Sequence, residues 1–158
     1  MKRIIAAFAV AIGTLATASA VAGPSNIKVE HVWARATPKG AVTAAAYATL
    51  VDGGTSDDRL LGASSPLAEK IRFHSMTDDK GIMKMDELPA IDLHPGVPVV
   101  LKPGGIHMMI VGLRQQLKEG QSLPLTLTFE KAGSVATTAL VGKVGAMVEP
   151  GNHASSGD

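Results

Sequence analysis

Residues 123–129 alternate cleanly: Leu123, Leu125, Leu127 and Phe129 are apolar, with Pro124, Thr126 and Thr128 between them. A period of two sends successive side chains to opposite faces, so this stretch predicts a strand with one buried and one wet face. Pro124 cannot donate to a ladder, so the strand is expected to begin at an edge. The segments Ile71 to Met76 and Ile82 to Asp86 also alternate, and the polar run Thr77-Asp78-Asp79-Lys80-Gly81 between them predicts a turn. Ala44 to Val51 is rich in alanine, yet it predicts a strand. Gly40 and Gly53-Gly54 bound it, and Tyr47, Thr49 and Val51 alternate within it. Further turn clusters follow at His94-Pro95-Gly96, Pro103-Gly104-Gly105 and Lys131-Ala132-Gly133-Ser134, and no helix of ordinary length is evident. The pattern predicts an all-β domain, a sandwich or a Greek-key barrel.

The N-terminus reads differently. Lys2-Arg3 precede the uncharged stretch Ile4 to Leu15, and small residues follow. Ala18-Ser19-Ala20 and Ala20-Val21-Ala22 both fit an A-x-A cleavage pattern. A secretion signal over residues 1–22 is expected, with cleavage after Ala22; cleavage after Ala20 fits nearly as well. An uncleaved anchor fits less well, because the stretch becomes rich in Ala, Thr and Ser toward its end. The expected organisation is a signal over 1–22, one β-domain over 23–146, and a flexible polar tail over 147–158.

Charge narrows the function classes. The leader holds Lys2 and Arg3, so 13 of the 15 Lys and Arg remain against 14 Asp and Glu, a formal charge of about −1. No basic patch interleaved with aromatics points to nucleic acid. The sequence contains no cysteine. That excludes a disulfide staple, a thiolate copper site of the electron-transfer kind, and thiol–disulfide exchange.

What stands out chemically is a spaced donor set. His74 is followed by ten residues and Met85, then by twenty-one residues and His107-Met108-Met109. Residues i and i+2 of a strand share a face, so His107 and Met109 point together and Met108 points away. By the same parity Met76 shares a face with His74, a candidate substitute or auxiliary donor whose role the sequence leaves open, and Met83 shares a face with Met85. Imidazole suits several transition metals, whereas a neutral, polarizable thioether favours soft Cu(I). If the four converge, the expected cargo is one cuprous ion. Taken singly, each residue has a bland alternative: a buried Met is usually core filler, and a strand His is usually a hydrogen-bonded structural residue.

These intervals resemble the H(M)X10MX21HXM signature of the PCuAC-type periplasmic copper chaperones, with His74, Met85, His107 and Met109 at its ligand positions. The stretch Leu101 to Ile110 is similar to the family's LKPGGxHxM segment, and the likeness runs from about Ile27 to Val141. One position departs: Ser75 directly follows His74, and Met76 comes next. The resemblance implies a cupredoxin-like or immunoglobulin-like β-barrel in the periplasm. It implies Cu(I) bound by those four residues, delivery toward the copper centres of cytochrome oxidase, and a thioredoxin-like assembly factor as a further partner. Such a protein is a carrier and not an enzyme, with copper storage or a purely structural sandwich as the alternatives. His153 and Met147 offer a second, weaker copper site, although a solvated tail fits that composition better.

The remaining polar residues read plainly. His31 is expected at the surface or hydrogen-bonded, His94 in a turn, and Trp33 in core or edge packing. Arg35 is expected to pair with Asp57 or Asp58, and Asp78-Asp79 to be solvated.

Overall fold

The computed structural model describes residues 26–151. The secretion signal expected over 1–22 lies outside the described residues, as does the tail from residue 152 with His153. Ten strands follow one another: β1 (Ile27–Arg35), β2 (Thr43–Asp52), β3 (Asp58–Ser64), β4 (Lys70–Asp79), β5 (Ile82–Leu88), β6 (Ile91–Leu93), β7 (Val99–Leu101), β8 (His107–Val111), β9 (Ser122–Phe129) and β10 (Gly133–Gly142). They form one mixed sheet in the order β5-β4-β8-β2-β1-β10-β9-β3-β6, with β7 also paired to β2. Only β1 and β10 run parallel.

The sheet coils without closing. Phe73 of β4, Met108 of β8, Leu60 of β3 and Leu127 of β9 share one apolar cluster, although their strands lie far apart in the sheet order. Right-handed twist accumulating over many strands brings the apolar faces around a common core.

The alternation read from the sequence is present. Leu123, Leu125, Leu127 and Phe129 are all buried along β9. Pro124 faces Thr138 of β10 on one side, while the pairing with β3 stops at Thr126. The strand therefore begins at a local edge, where a missing N–H costs nothing. The alanine-rich stretch is β2, held between β1 and β8.

One polar expectation changes. Arg35 does not pair with Asp57 or Asp58. Its Nε donates to the Ala146 carbonyl at 2.7 Å, its Nη2 lies 3.0 Å from Met147 Sδ, and its guanidinium stacks over Tyr47 at 5.6 Å. Trp33 packs on the same ring at 4.4 Å. Asp58 instead turns into the structure, where its carboxylate accepts backbone N–H groups from Arg59, Lys131 and Ala132 at 2.7, 2.9 and 2.9 Å. Residues 147–151, the start of the expected tail, lie against β1: Glu149 Oε2 is 2.8 Å from Nδ1 of His31, which sits at a bulge with φ of 51°.

The core cluster is apolar and continuous, so folding needs no metal. Apo-protein should melt in one cooperative transition with β-type circular dichroism, and Cu(I) should raise the midpoint by binding the native state preferentially. A broad, non-cooperative apo melt would contradict this.

Candidate metal centre

Three strands build the site. β4 runs antiparallel to β8 with His74 directly opposite His107, and antiparallel to β5 with Met76 directly opposite Met85. Opposed residues of neighbouring strands share a face. His74, Met76, Met83, Met85, His107 and Met109 thus lie on one face of the β5-β4-β8 ribbon. On the other face Phe73 opposes Met108, and both are buried in the core.

The β4–β5 hairpin is tighter than the sequence suggests. The turn expected over Thr77 to Gly81 shrinks to Lys80 and Gly81, with φ of 56° and 85°, and the ladder continues to Asp79 opposite Ile82. Two consecutive residues at positive φ match the right-handed twist of the flanking strands, which keeps the hairpin paired to its tip. Asp78 Oδ1 accepts the Gly81 N–H, and Lys84 pairs with Asp79 at 2.8 Å.

The imidazole rings of His74 and His107 stand edge to face, with centroids 5.9 Å apart and planes at 79°. Nδ1 of His74 is 3.1 Å from Sδ of Met85. Nδ1 of His107 is 3.0 Å from the Gly105 carbonyl oxygen. A carbonyl only accepts, so that nitrogen carries the proton and Nε2 of His107 keeps its lone pair for a ligand. The same carbonyl accepts the Met76 N–H at 3.2 Å, which ties the Pro103-Gly104-Gly105 turn to β4. Gly104 takes φ of 76° in that turn, a conformation open to glycine. Exposure is graded across the set: His107 is 7% exposed, His74 and Met109 are half-buried, and Met85 is 51% exposed.

All four sequence-predicted residues therefore share this face. The distances join His74, Met85 and His107 directly, and strand parity puts Met109 one step beyond His107. Among the described residues, no three His, Asp or Glu side chains cluster so as to hold an ion; on this face the two imidazoles stand among thioethers. An ion pair that the sequence reading missed borders the site. Arg72, opposite Met109, binds both carboxylate oxygens of Glu87, opposite His74, at 2.6 and 2.5 Å. Alternation already put Arg72 on the His74 face; the partner became visible only with the β4–β5 register. The other described histidines lie elsewhere. His94 is exposed, and its hydrogen bond to Asp57 at 3.0 Å raises its pKa.

The LpqE-like family, described as "Putative lipoprotein LpqE-like", matches residues 27–141. A curated relative, "Putative lipoprotein Lxx21020" of Leifsonia xyli subsp. xyli, is 29% identical over 116 residues, covering 73% of this chain and 68% of its own. Among solved structures, the copper-bound PCuAC domain from PmoF2 is similar with a TM-score of 0.65 and 33% identity, over 75% of this chain and 93% of that one. The solution structure of CuI-DR1885 from Deinococcus radiodurans gives a TM-score of 0.60 and 27% identity, over 79% of this chain and 83% of that one. The PmoF2 domain holds copper and DR1885 holds Cu(I) in these structures, and the PCuAC neighbours are of cupredoxin-like fold.

Proposed function

This chain belongs to the PCuAC-type family, the family of the LpqE-like match, and on that footing we propose that it is a periplasmic Cu(I) carrier. His74, Met85, His107 and Met109 are the ligands. The observation that carries this is the convergence of His74, Met85 and His107 on one face, with His107 Nε2 left free by the Gly105 contact. Relatives with copper in their structures support the choice of ion.

The donor set suits transport. Imidazole and thioether are neutral, so Cu(I) keeps its single charge and is held without a tight electrostatic clamp. The outer-shell hydrogen bond from His107 to Gly105 fixes one ligand in its ring orientation. Met85 is the opposite case: it sits half exposed on β5, an edge strand, where an incoming donor can displace it first. A cysteine thiolate is anionic and a stronger soft donor, so transfer to a Cys-bearing acceptor runs downhill. We assign the acceptor to the copper-centre assembly of cytochrome c oxidase, either the oxidase subunit or a thioredoxin-like assembly factor. The signal over residues 1–22 would bring the chain to the periplasm. A separate copper at Met147 and His153 is not needed for this role.

Anaerobic mixing of Cu(I)-loaded protein with an excess of a reduced dithiol fragment of an oxidase subunit, followed by separation and metal analysis, tests the carrier role. Copper should move to the acceptor. Copper remaining wholly on this protein would refute delivery and favour storage or buffering.

A further inference from the structure

The β4–β5 hairpin carries more thioethers on the site face than the site uses. Met76 is opposite Met85, and Met83 is two residues nearer the tip, opposite Asp78. Directly opposed Cβ atoms lie about 5 Å apart and diagonal positions about 7–8 Å, within reach of long unbranched side chains. Met85 turns its sulfur toward His74. Met76 and Met83 remain as a neighbouring pair. Neither fills the core: Met83 is 54% exposed, and Met76 is half-buried on the face turned away from Phe73. The local charges suit a cation. Lys84 and Asp79 pair on the opposite face of the hairpin; on the site face of β4, Arg72 is taken up by Glu87, and Lys70 stands at the far end of the strand, opposite Val111. Asp78 adds a carboxylate beside Met83.

We propose that Met76 and Met83 form a second, weaker Cu(I) site at the outer end of the donor face, through which the ion enters and leaves the His74–His107 site. The proposal rests on the carrier function and extends it to the route of exchange. Two neutral thioethers hold a soft ion loosely, and no proton or electron changes hands. Met85 links the two ends, opposite Met76 on one side and in contact with His74 on the other. The ion can therefore pass along the face by exchanging one donor at a time.

The test is titration of apo-protein, labelled with 13C at the methionine methyls, using Ag(I) as an air-stable stand-in for Cu(I). The Met85 and Met109 resonances should move with the first equivalent in slow exchange. Those of Met76 and Met83 should move with the second in fast exchange, and buried Met108 should stay still. In the double variant Met76→Leu/Met83→Leu the first equivalent should persist with its affinity nearly unchanged. The second should vanish, and Cu(I) release to a dithiol acceptor should slow by about tenfold as the locally held exchange partner is lost. Unmoved Met76 and Met83 methyls beyond the first equivalent would overturn the proposal, as would a double variant that releases copper at the parent rate. If no tight first equivalent forms while Met76 and Met83 alone respond, the carrier function fails but the two-thioether site stands.

Discussion

His107→Ala should remove tight Cu(I) binding while leaving the fold nearly intact, and Met108→Ala should do the reverse. The two residues are adjacent in sequence but face opposite ways from β8. Loss of His107 takes away an imidazole whose Nε2 is the free donor, and affinity should fall by more than the ~10–100-fold that losing an outer-shell partner costs. Its ring makes one hydrogen bond, to Gly105, whose carbonyl still accepts the Met76 N–H, and otherwise packs edge to face on the His74 ring. Met108 is 0% exposed and lies between Phe73 of β4 and Ala46 of β2. Truncating it leaves a cavity there and should cost about 2–5 kcal/mol, lowering the melting midpoint by roughly 10 °C or more. Chelator competition read on the folded fraction, alongside thermal melts of both variants, separates the effects. Equal copper losses per folded molecule, or equal drops in midpoint, would contradict the assigned faces.

Asp58→Asn should destabilise the fold strongly, and its cost should depend on pH. Asp58 is 4% exposed. Burial alone pushes its carboxyl pKa up, but the N–H donors of Lys131, Arg59 and Ala132 and the charge of Lys131 outweigh that and hold it below the usual carboxylate range. A depressed folded pKa stabilises the native state above the unfolded value of about 3.9, and that stabilisation is lost as pH falls through the folded value. Asparagine keeps one acceptor oxygen and turns an amide against the remaining donors. The loss at neutral pH should be roughly 3 kcal/mol. Denaturant midpoints measured from pH 7 to pH 2 should converge between parent and variant as the parent's carboxylate is protonated. A constant gap across that range would sink the assignment.

The hydrophobic alternation by itself determined a good deal of this protein. Leu123 to Phe129 specifies β9, the glycines around Ala44 to Val51 delimit β2, and parity alone separates Met108 from His107 and Met109. The donor intervals pointed to the family, and softness pointed to the ion. The polar residues behaved otherwise. Asp57 and Asp58 are neighbours in a turn-rich segment, and nothing local distinguishes the one that binds His94 from the one that anchors the β9–β10 connection. Arg35 finds its partners more than a hundred residues away, at Ala146 and Met147. The Arg72–Glu87 pair and the opposition of Met76 to Met85 likewise needed the register of β4 with β5. A period of two tells which face a residue takes, because that follows from the geometry of a single strand. Which residues meet across strands depends on register, which the tight turn sets within a hairpin such as β4–β5 and which the coiling of the sheet around its core sets between strands distant in sequence. His74 and His107 belong to both kinds of statement: each one's face was legible in its own strand, but their meeting was decided by the tertiary structure.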